Sequence, residues 1–297
     1  MPTLYAQADS NIRKTWILIT LFLIFIIFLG WLFSYLLDSY FFLIFAVLLG
    51  VIQGFASFRY SDKIVLAIAG AHPIKKSDNP ELYRLVENLS ITAGLPLPKI
   101  YIINEAQPNA FATGRDEKHA VIAVTRGLLQ KLERVELEGV VAHELSHIGN
   151  KDMLLGTAIV ILIGIVAFLS RMFLRISFWG GGRRKRDSKD SSGLLAILGI
   201  IGAILAPIVA TLIQLAISRK REFLADASGA LLTRYPEGLA RALEKISRDK
   251  NPLRRADTST AHLYISNPFR EKNWLTKLFS THPPVKERIR ALRGMEV

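Results

Sequence analysis

The sequence of 297 residues contains no cysteine, and this absence limits its chemistry before any motif is considered. Disulfide bonds and thiolate metal ligands are both excluded. A zinc site in this chain must therefore be built from histidine and carboxylate side chains. Histidine is also scarce, with six in the whole chain, so two histidines at a regular spacing carry weight.

Acidic residues are outnumbered by basic ones, 25 against 38, which gives a formal net charge of +13. Such an excess suits either a nucleic acid or an anionic lipid surface. Hydrophobic residues make up 51% of the chain, with a mean hydropathy of +0.30. Because this exceeds the usual apolar share of a soluble domain, the lipid bilayer is the expected partner, and no nucleic acid is expected.

Charge is missing altogether from four apolar runs, residues 15–37, 40–58, 153–170 and 193–218. A run of about 20 apolar residues can cross a bilayer as a helix. The first run is too long for the core of a cleavable signal peptide and no cleavage site follows it. The third barely reaches spanning length, so a buried soluble helix is its alternative. We expect a multi-pass membrane protein.

Two polar blocks, residues 59–152 and 219–297, lie between and after these runs. Periodic leucines in the first block predict a helix from Pro80 to Thr92. Alternating and β-branched residues predict strands over 99–104 and 119–125, and a further helix is expected to begin near Gln130. A basic, glycine-rich connector, residues 179–192, separates the third and fourth runs.

The stretch VVAHELSHIGN, residues 140–150, places His143 and His147 four residues apart. On a helix this spacing puts both rings on one face, where they can bind one ion. Glu144 then lies beside the ion, where it can accept a proton from a water molecule. His-Glu-x-x-His on a helix is the zinc metalloprotease signature. The alternative is a pair of hydrogen-bonding histidines near a membrane surface.

A catalytic zinc ion needs a third protein ligand and an open fourth position. Glu222 is the best candidate, because a hairpin formed by the third and fourth runs would bring it beside His147. Asp226, one helical turn later, is placed to accept the ring N–H of a ligating histidine. The alternative makes this segment an ordinary amphipathic helix in which Glu222 pairs with Arg219 or Arg221.

HELSH followed by NKD, and then EFLAD at 222–226, resembles the HtpX-type membrane proteases, gluzincins related to the CAAX prenyl proteases. NAFATG at 109–114 and THPP at 281–284 extend the resemblance over most of the chain. It implies that His143, His147 and Glu222 bind one zinc ion per chain and that Glu144 is the catalytic base. It also implies misfolded or damaged membrane proteins as substrates. The oligomeric state stays open.

The expected fold is mainly α with a small β-sheet, combining multi-pass membrane helices with a zincin-like metalloprotease domain. The chain is predicted to divide into four segments. Residues 1–58 form two N-terminal transmembrane helices, 59–152 the first part of the protease domain, 153–218 an apolar helical hairpin, and 219–297 the rest of the protease domain.

Two further assignments concern the substrate. An oxyanion needs a donor besides the metal, and His282 is the candidate, with His119 and His262 as rivals. The segment Asn109, Ala110, Phe111 and Ala112 could present a sheet edge to which a substrate backbone adds as a strand. The alternative is a buried edge strand that ends in a turn at Gly114.

The basic residues around the first two runs place both polar blocks in the cytosol by the positive-inside rule. The connector opposes this, since its own basic residues would lie outside if runs three and four span. We expect a zinc endopeptidase of the cell membrane with a cytoplasmic active site. A zinc-stabilised membrane scaffold or chaperone is the alternative. A transporter is disfavoured because the runs contain no ionisable residue.

Overall fold

The computed structural model describes residues 4–36, 40–41, 43–45, 47–48, 52, 59–180, 219–249, 251, 253–255, 257, 259–269 and 283–295. The first apolar run forms the long helix α1, Leu4–Leu36. One side of α1 is buried and includes Asn11, Thr15, Phe22 and Ile26, whose spacing is close to that of a single helix face.

The opposite side of α1 exposes large apolar side chains that are each 50% exposed or more: Trp16, Leu21, Ile24, Phe28 and Trp31. Within the described residues, one helical segment is long and apolar enough to cross a membrane, Ala8–Phe28 of α1. Most of the second run, all of the fourth and the connector after Gly180 lie outside the described residues. The multi-pass arrangement therefore stays a prediction.

Helix α2, Ser61–Ala69, leads into a four-stranded sheet made of β1, Ala71–Pro73, β2, Lys99–Ile103, β3, Ala110–Thr113, and β4, Val121–Thr125. The strand order is β1-β2-β4-β3, with β2 parallel to β4 and the outer strands antiparallel to their neighbours. The two predicted strands are present as β2 and β4. The second starts later than expected, because Asp116 caps a short turn at Glu117–His119.

Helix α3, Pro80–Ala93, has nearly its predicted limits, with Asn79 capping its start. The helix expected near Gln130 is instead two helices, α4, Arg126–Lys131, and α5, Arg134–Gly149. The backbone of Leu132 is extended, which ends α4. A capping box between Glu133 and Glu136 then begins α5. The expected start was therefore wrong by four residues.

The third run lies in α6, Asp152–Gly180. It does not continue α5, because Lys151 takes a left-handed backbone conformation with φ of 56°. Arg134–Gly149 and Asp152–Val166 are bent by 79° to each other, and only together are they long and apolar enough to cross a membrane as one broken span. The HELSH helix thus ends at the bend, and the apolar helix departs in a new direction.

Three helices complete the described chain: α7, Arg219–Thr233, α8, Pro236–Arg248, and α9, Val285–Arg293. One hydrophobic core joins both polar blocks, with Leu82, Ile122 and Leu145 from the first and Leu239 and Leu292 from the second. The described part is mainly helical with one small mixed sheet, as predicted.

Candidate active site

The site lies where α5 crosses α7. Gly229 permits this close approach, because a Cβ atom there would come within 2.9 Å of the backbone nitrogen of His143. The contact sets the face of α5 that carries His143 and His147 against the start of α7, which carries Glu222 and Asp226.

The side chains of His143, His147 and Glu222 converge, with one ligand atom from each lying within 4.8 Å of the others. The two Nε2 atoms are 3.2 Å apart. Oε2 of Glu222 lies 3.8 Å from Nε2 of His143, and Oε1 lies 3.5 Å from Nε2 of His147. Ligands at about 2.0–2.1 Å from a tetrahedral zinc ion are separated by about 3.4 Å, so these spacings fit.

The far side of each ring is held by a carboxylate. Nδ1 of His143 is 3.0 Å from Asp226, and Nδ1 of His147 is 3.0 Å from Asp152. Nδ1 of His147 is hydrogen-bonded to Asp152, whereas Nδ1 of His143 faces Asp226 as an ion-pair contact. A hydrogen on each Nδ1 leaves both Nε2 atoms with lone pairs that face each other and Glu222. This cluster of acceptors needs a proton or a cation between its members, which is the second reason that a zinc ion fits.

The two histidines respond differently to this surrounding. Burial lowers the pKa of His143 to about 4, although the Asp226 carboxylate beside Nδ1 opposes this shift. Burial also disfavours the charged form of His147. The hydrogen bond to Asp152 and the charge of Glu222 outweigh burial there and raise its pKa to about 9. In the metal-free chain, His147 therefore carries the proton that a metal ion must displace.

Glu144 points into the same space and is 1% exposed. Burial raises its pKa to about 7, and the charge of Glu222 acts in the same direction, while His147 and the backbone N–H of Ala112 oppose the shift. A carboxyl group with such a pKa can both accept and release a proton near neutral pH.

Two supporting residues escaped the sequence analysis. Arg288 of α9 is fully buried and donates to both carboxylate oxygens of Asp226, at 2.8 and 2.6 Å. Burial raises the pKa of Asp226, but the Arg288 guanidinium outweighs it and holds the pKa well below its usual value. Asp152, which supports His147, follows that histidine by five residues and is the last residue of NKD, so its place in that motif was the signal that could have found it.

Three of the four residues of the predicted substrate segment, Ala110 to Ala112, lie in β3, the outer strand of the sheet, but all four are at most 5% exposed. The N–H of Ile265 donates to the carbonyl of Ala110, and Tyr264 packs edge-on against Phe111. The Asn109 side chain donates to the carbonyl of Ser266. Part of this edge is thus covered by the chain itself, and the role of the segment in substrate binding stays a prediction.

The predicted oxyanion donor, His282, lies outside the described residues. Of its rivals, His119 pairs with Asp116 at 2.6 Å, and Nε2 of His262 is 3.1 Å from the carbonyl oxygen of Gly156. Both rings are thus engaged with groups other than the three converging ligands, and the donor stays unassigned.

The chain is similar to known proteins over most of its length. Residues 76–296 match the model of Peptidase family M48. The chain is 46% identical over 301 residues to a Protease HtpX homolog of Caldanaerobacter subterraneus, with 99% of each covered. It is 46% identical over 298 residues to one of Dictyoglomus thermophilum, covering 99% of this chain and 95% of that protein. The crystal structure of S. mikatae Ste24p is similar in fold, with a TM-score of 0.50 and 21% identity, covering 94% of this chain and 67% of that one.

Proposed function

This chain belongs to peptidase family M48 and is a metalloprotease, and from this premise we propose that it is a membrane-embedded, zinc-dependent endopeptidase. The convergence of His143, His147 and Glu222 beside the buried Glu144 carries the proposal. Two imidazoles and one carboxylate are the ligand set of a catalytic zinc site with an open position. The three ligands leave Glu144 free to act on a water molecule.

When bound, a zinc ion would polarise the scissile carbonyl and lower the pKa of a water molecule in the site. Glu144 accepts the proton of that water as the general base and delivers it to the leaving amine nitrogen as the general acid. Its raised pKa of about 7 in the metal-free chain suits this double task. Asp226 and Asp152 keep the two imidazoles in the tautomer that presents Nε2.

The substrate is an extended polypeptide that pairs with the outer edge of β3. The Ala112 end of this edge is the part next to the site, because Ile265 bonds the carbonyl of Ala110 and Tyr264 forms a bridge with Phe111. Ala112 is also the strand residue whose N–H lies near Glu144. Pairing through backbone groups selects extended chains with little regard to sequence. This supports misfolded or damaged membrane proteins as substrates in quality control.

The enzyme works in the cell membrane as a multi-pass protein with its active site on the cytoplasmic side. The apolar exposed side of α1 supports membrane insertion. Basic residues Arg13, Lys14, Arg59 and Lys63 flank the first two runs and support a cytoplasmic N-terminus. Protease protection of a C-terminal tag in intact vesicles tests the orientation, since a tag digested from the periplasmic or outer side rejects it.

The decisive experiment compares the full-length wild type with Glu144→Gln, both purified in detergent, on an unfolded casein-like substrate with added zinc. The wild type is expected to cleave and to hold about one zinc per chain, the number implied by a single three-ligand site. Glu144→Gln is expected to keep the zinc and lose cleavage, while His143→Ala loses both. Zinc without cleavage in the wild type would instead favour a scaffold or chaperone.

A further inference from the structure

Asn11 is a polar residue on the N-terminal helix α1 with no exposed surface. It precedes the basic pair Arg13 and Lys14, and so it lies at the start of the apolar run. Burial of an amide is costly unless its polar atoms are bonded, and among the described residues the NH₂ group of Asn11 is bonded while its Oδ1 is not. Its partners therefore indicate why an asparagine stands here.

The side-chain nitrogen of Asn11 contacts two acceptors. It lies 2.6 Å from Oδ1 of Asp152 and 3.0 Å from the carbonyl oxygen of Asn150. A carboxylate and a carbonyl can only accept, so the atom facing them must be the NH₂ group, with one N–H for each. Both acceptors lie at the bend between α5 and α6, more than 130 residues away in the sequence.

Asp152 links Asn11 to the site. Its other oxygen, Oδ2, is 3.0 Å from Nδ1 of His147, whose Nε2 faces the converging ligands. Arg221, next to Glu222 in α7, approaches Oδ1 at 3.6 Å. The carboxylate is thus held from α1 and from α7 while it orients a ring of α5. A charge-assisted bond of 2.6 Å is the shortest of these restraints.

We propose that Asn11 is a positioning residue for metal binding: it fixes the Asp152 carboxylate and, through it, the ring of His147. The proposal rests on the proposed function in one respect, that His147 is a metal ligand. Its consequence is that the N-terminal membrane helix is part of the support of the metal site. A helix that moved relative to α6 would release Asp152 and loosen a ligand.

A purely structural role for Asn11, joining α1 to the bend, is the competing explanation. It predicts a loss of stability in Asn11→Leu without a specific loss of metal affinity. The two explanations therefore differ in zinc binding and in whether the effect depends on Asp152.

The test measures zinc affinity of the full-length protein in detergent by competition with a chromogenic chelator. Asn11→Leu keeps the side-chain volume and removes the donor. We expect it to weaken zinc binding about 10-fold, the lower end of the range for outer-shell partners of a ligand. Cleavage of casein should recover at saturating zinc. Thr15→Val is the matched control, since this buried hydroxyl of the same helix donates to the backbone of Asn11, and its affinity should stay within about twofold of wild type.

A double-mutant cycle with Asp152→Asn separates positioning from folding. If Asn11 acts through Asp152, adding Asn11→Leu to Asp152→Asn should change the affinity by less than about twofold. An equal 10-fold loss in both backgrounds, or wild-type affinity in Asn11→Leu, overturns the proposal. Asn11→Ser keeps a polar side chain that is too short to contact Asp152. It is measured alongside and should show the same loss of zinc affinity, about 10-fold, so that the test still stands if the leucine variant fails to fold.

The same measurements distinguish this proposal from the proposed function. A wild type that binds zinc tightly but never cleaves casein refutes the peptidase assignment, while the affinity of Asn11→Leu still decides the positioning role. A wild type that cleaves, together with unchanged affinity in Asn11→Leu, refutes the positioning role alone. A wild type that binds no zinc refutes both.

Discussion

Replacing Arg288 by methionine tests the most deeply buried ion pair near the site. The Arg288 side chain is 1% exposed and that of Asp226 is 3% exposed. Arg288 donates twice to Asp226 and once to the carbonyl of Ile265 at 3.0 Å, and it lies 3.3 Å from Oε2 of Glu222. Methionine occupies the space of the arginine stem but leaves the Asp226 carboxylate without its counter-charge.

Removing one partner of a buried ion pair typically costs about 3–5 kcal/mol of folding free energy, because the remaining charge stays buried and unpaired. We expect Arg288→Met to lose stability in this range. Asp226→Asn should also lose stability, since the guanidinium loses its two-point carboxylate partner and keeps only the contact with Glu222. The double variant Arg288→Met with Asp226→Asn should be more stable than either single variant, because no uncompensated charge remains. Arg288→Lys keeps the charge but not the paired donors and should be intermediate.

Urea unfolding in detergent with excess chelator measures these differences without any contribution from metal binding. Zinc affinity is then measured separately. The double variant should regain stability but not affinity, because its Asp226 carboxylate, which orients His143, is gone. An Arg288→Met variant as stable as wild type, or strictly additive effects in the double variant, would refute the reasoning.

Three further predictions concern α5, which carries His147, and α7, which carries Gly229. Zinc affinity should rise about tenfold per pH unit from pH 6 to 8, because zinc displaces the proton that His147 holds with a pKa of about 9 in the metal-free chain. Competition titrations at three pH values measure this dependence. An affinity that does not change with pH contradicts the prediction. For the same group, a pKa raised above the unfolded value stabilises the metal-free fold below about pH 6.5, and this contribution should disappear as the pH rises towards 9. Gly229→Ala should destabilise by about 1–3 kcal/mol and weaken zinc binding, since its Cβ would meet the backbone of His143 at 2.9 Å. Gly164→Ala in α6, where nothing lies within 4 Å of the added atom, is the control in the same unfolding assay and should be neutral or slightly stabilising.

Local sequence patterns explain why much of the site and two of the strands could be predicted from the sequence. Two histidines four apart on a helix must share a face, and they do so in α5. Glu222 does lie beside His147, with Oε1 3.5 Å from Nε2, while the hairpin predicted to bring them together stays a prediction because its far half lies outside the described residues. The strands β2 and β4 likewise follow from short runs of β-branched residues.

Long-range partners leave no such trace. Arg288 follows Asp226 by 62 residues, and Asn11 precedes Asp152 by 141, so no periodicity links either pair. An arginine in a short amphipathic helix and an asparagine before a membrane run both look like surface residues in the sequence. The break at Leu132 was missed for a different reason, since that position has no glycine or proline of the kind that usually marks a helix boundary.

The bend at Lys151 explains why a metal motif stands directly before an apolar run. A straight helix would carry the residues after Gly149 away from His147, but the bend returns Asp152 to the ring of that histidine. The first residue of the apolar helix thereby supports the ring of a proposed metal ligand. Asn11 then holds Asp152 from near the N-terminus, and Arg288 holds Asp226 from near the other end of the chain. Each histidine is thus oriented by a carboxylate that a distant segment fixes, so the geometry of the site depends on the packing of the membrane-proximal helices as much as on the motif itself.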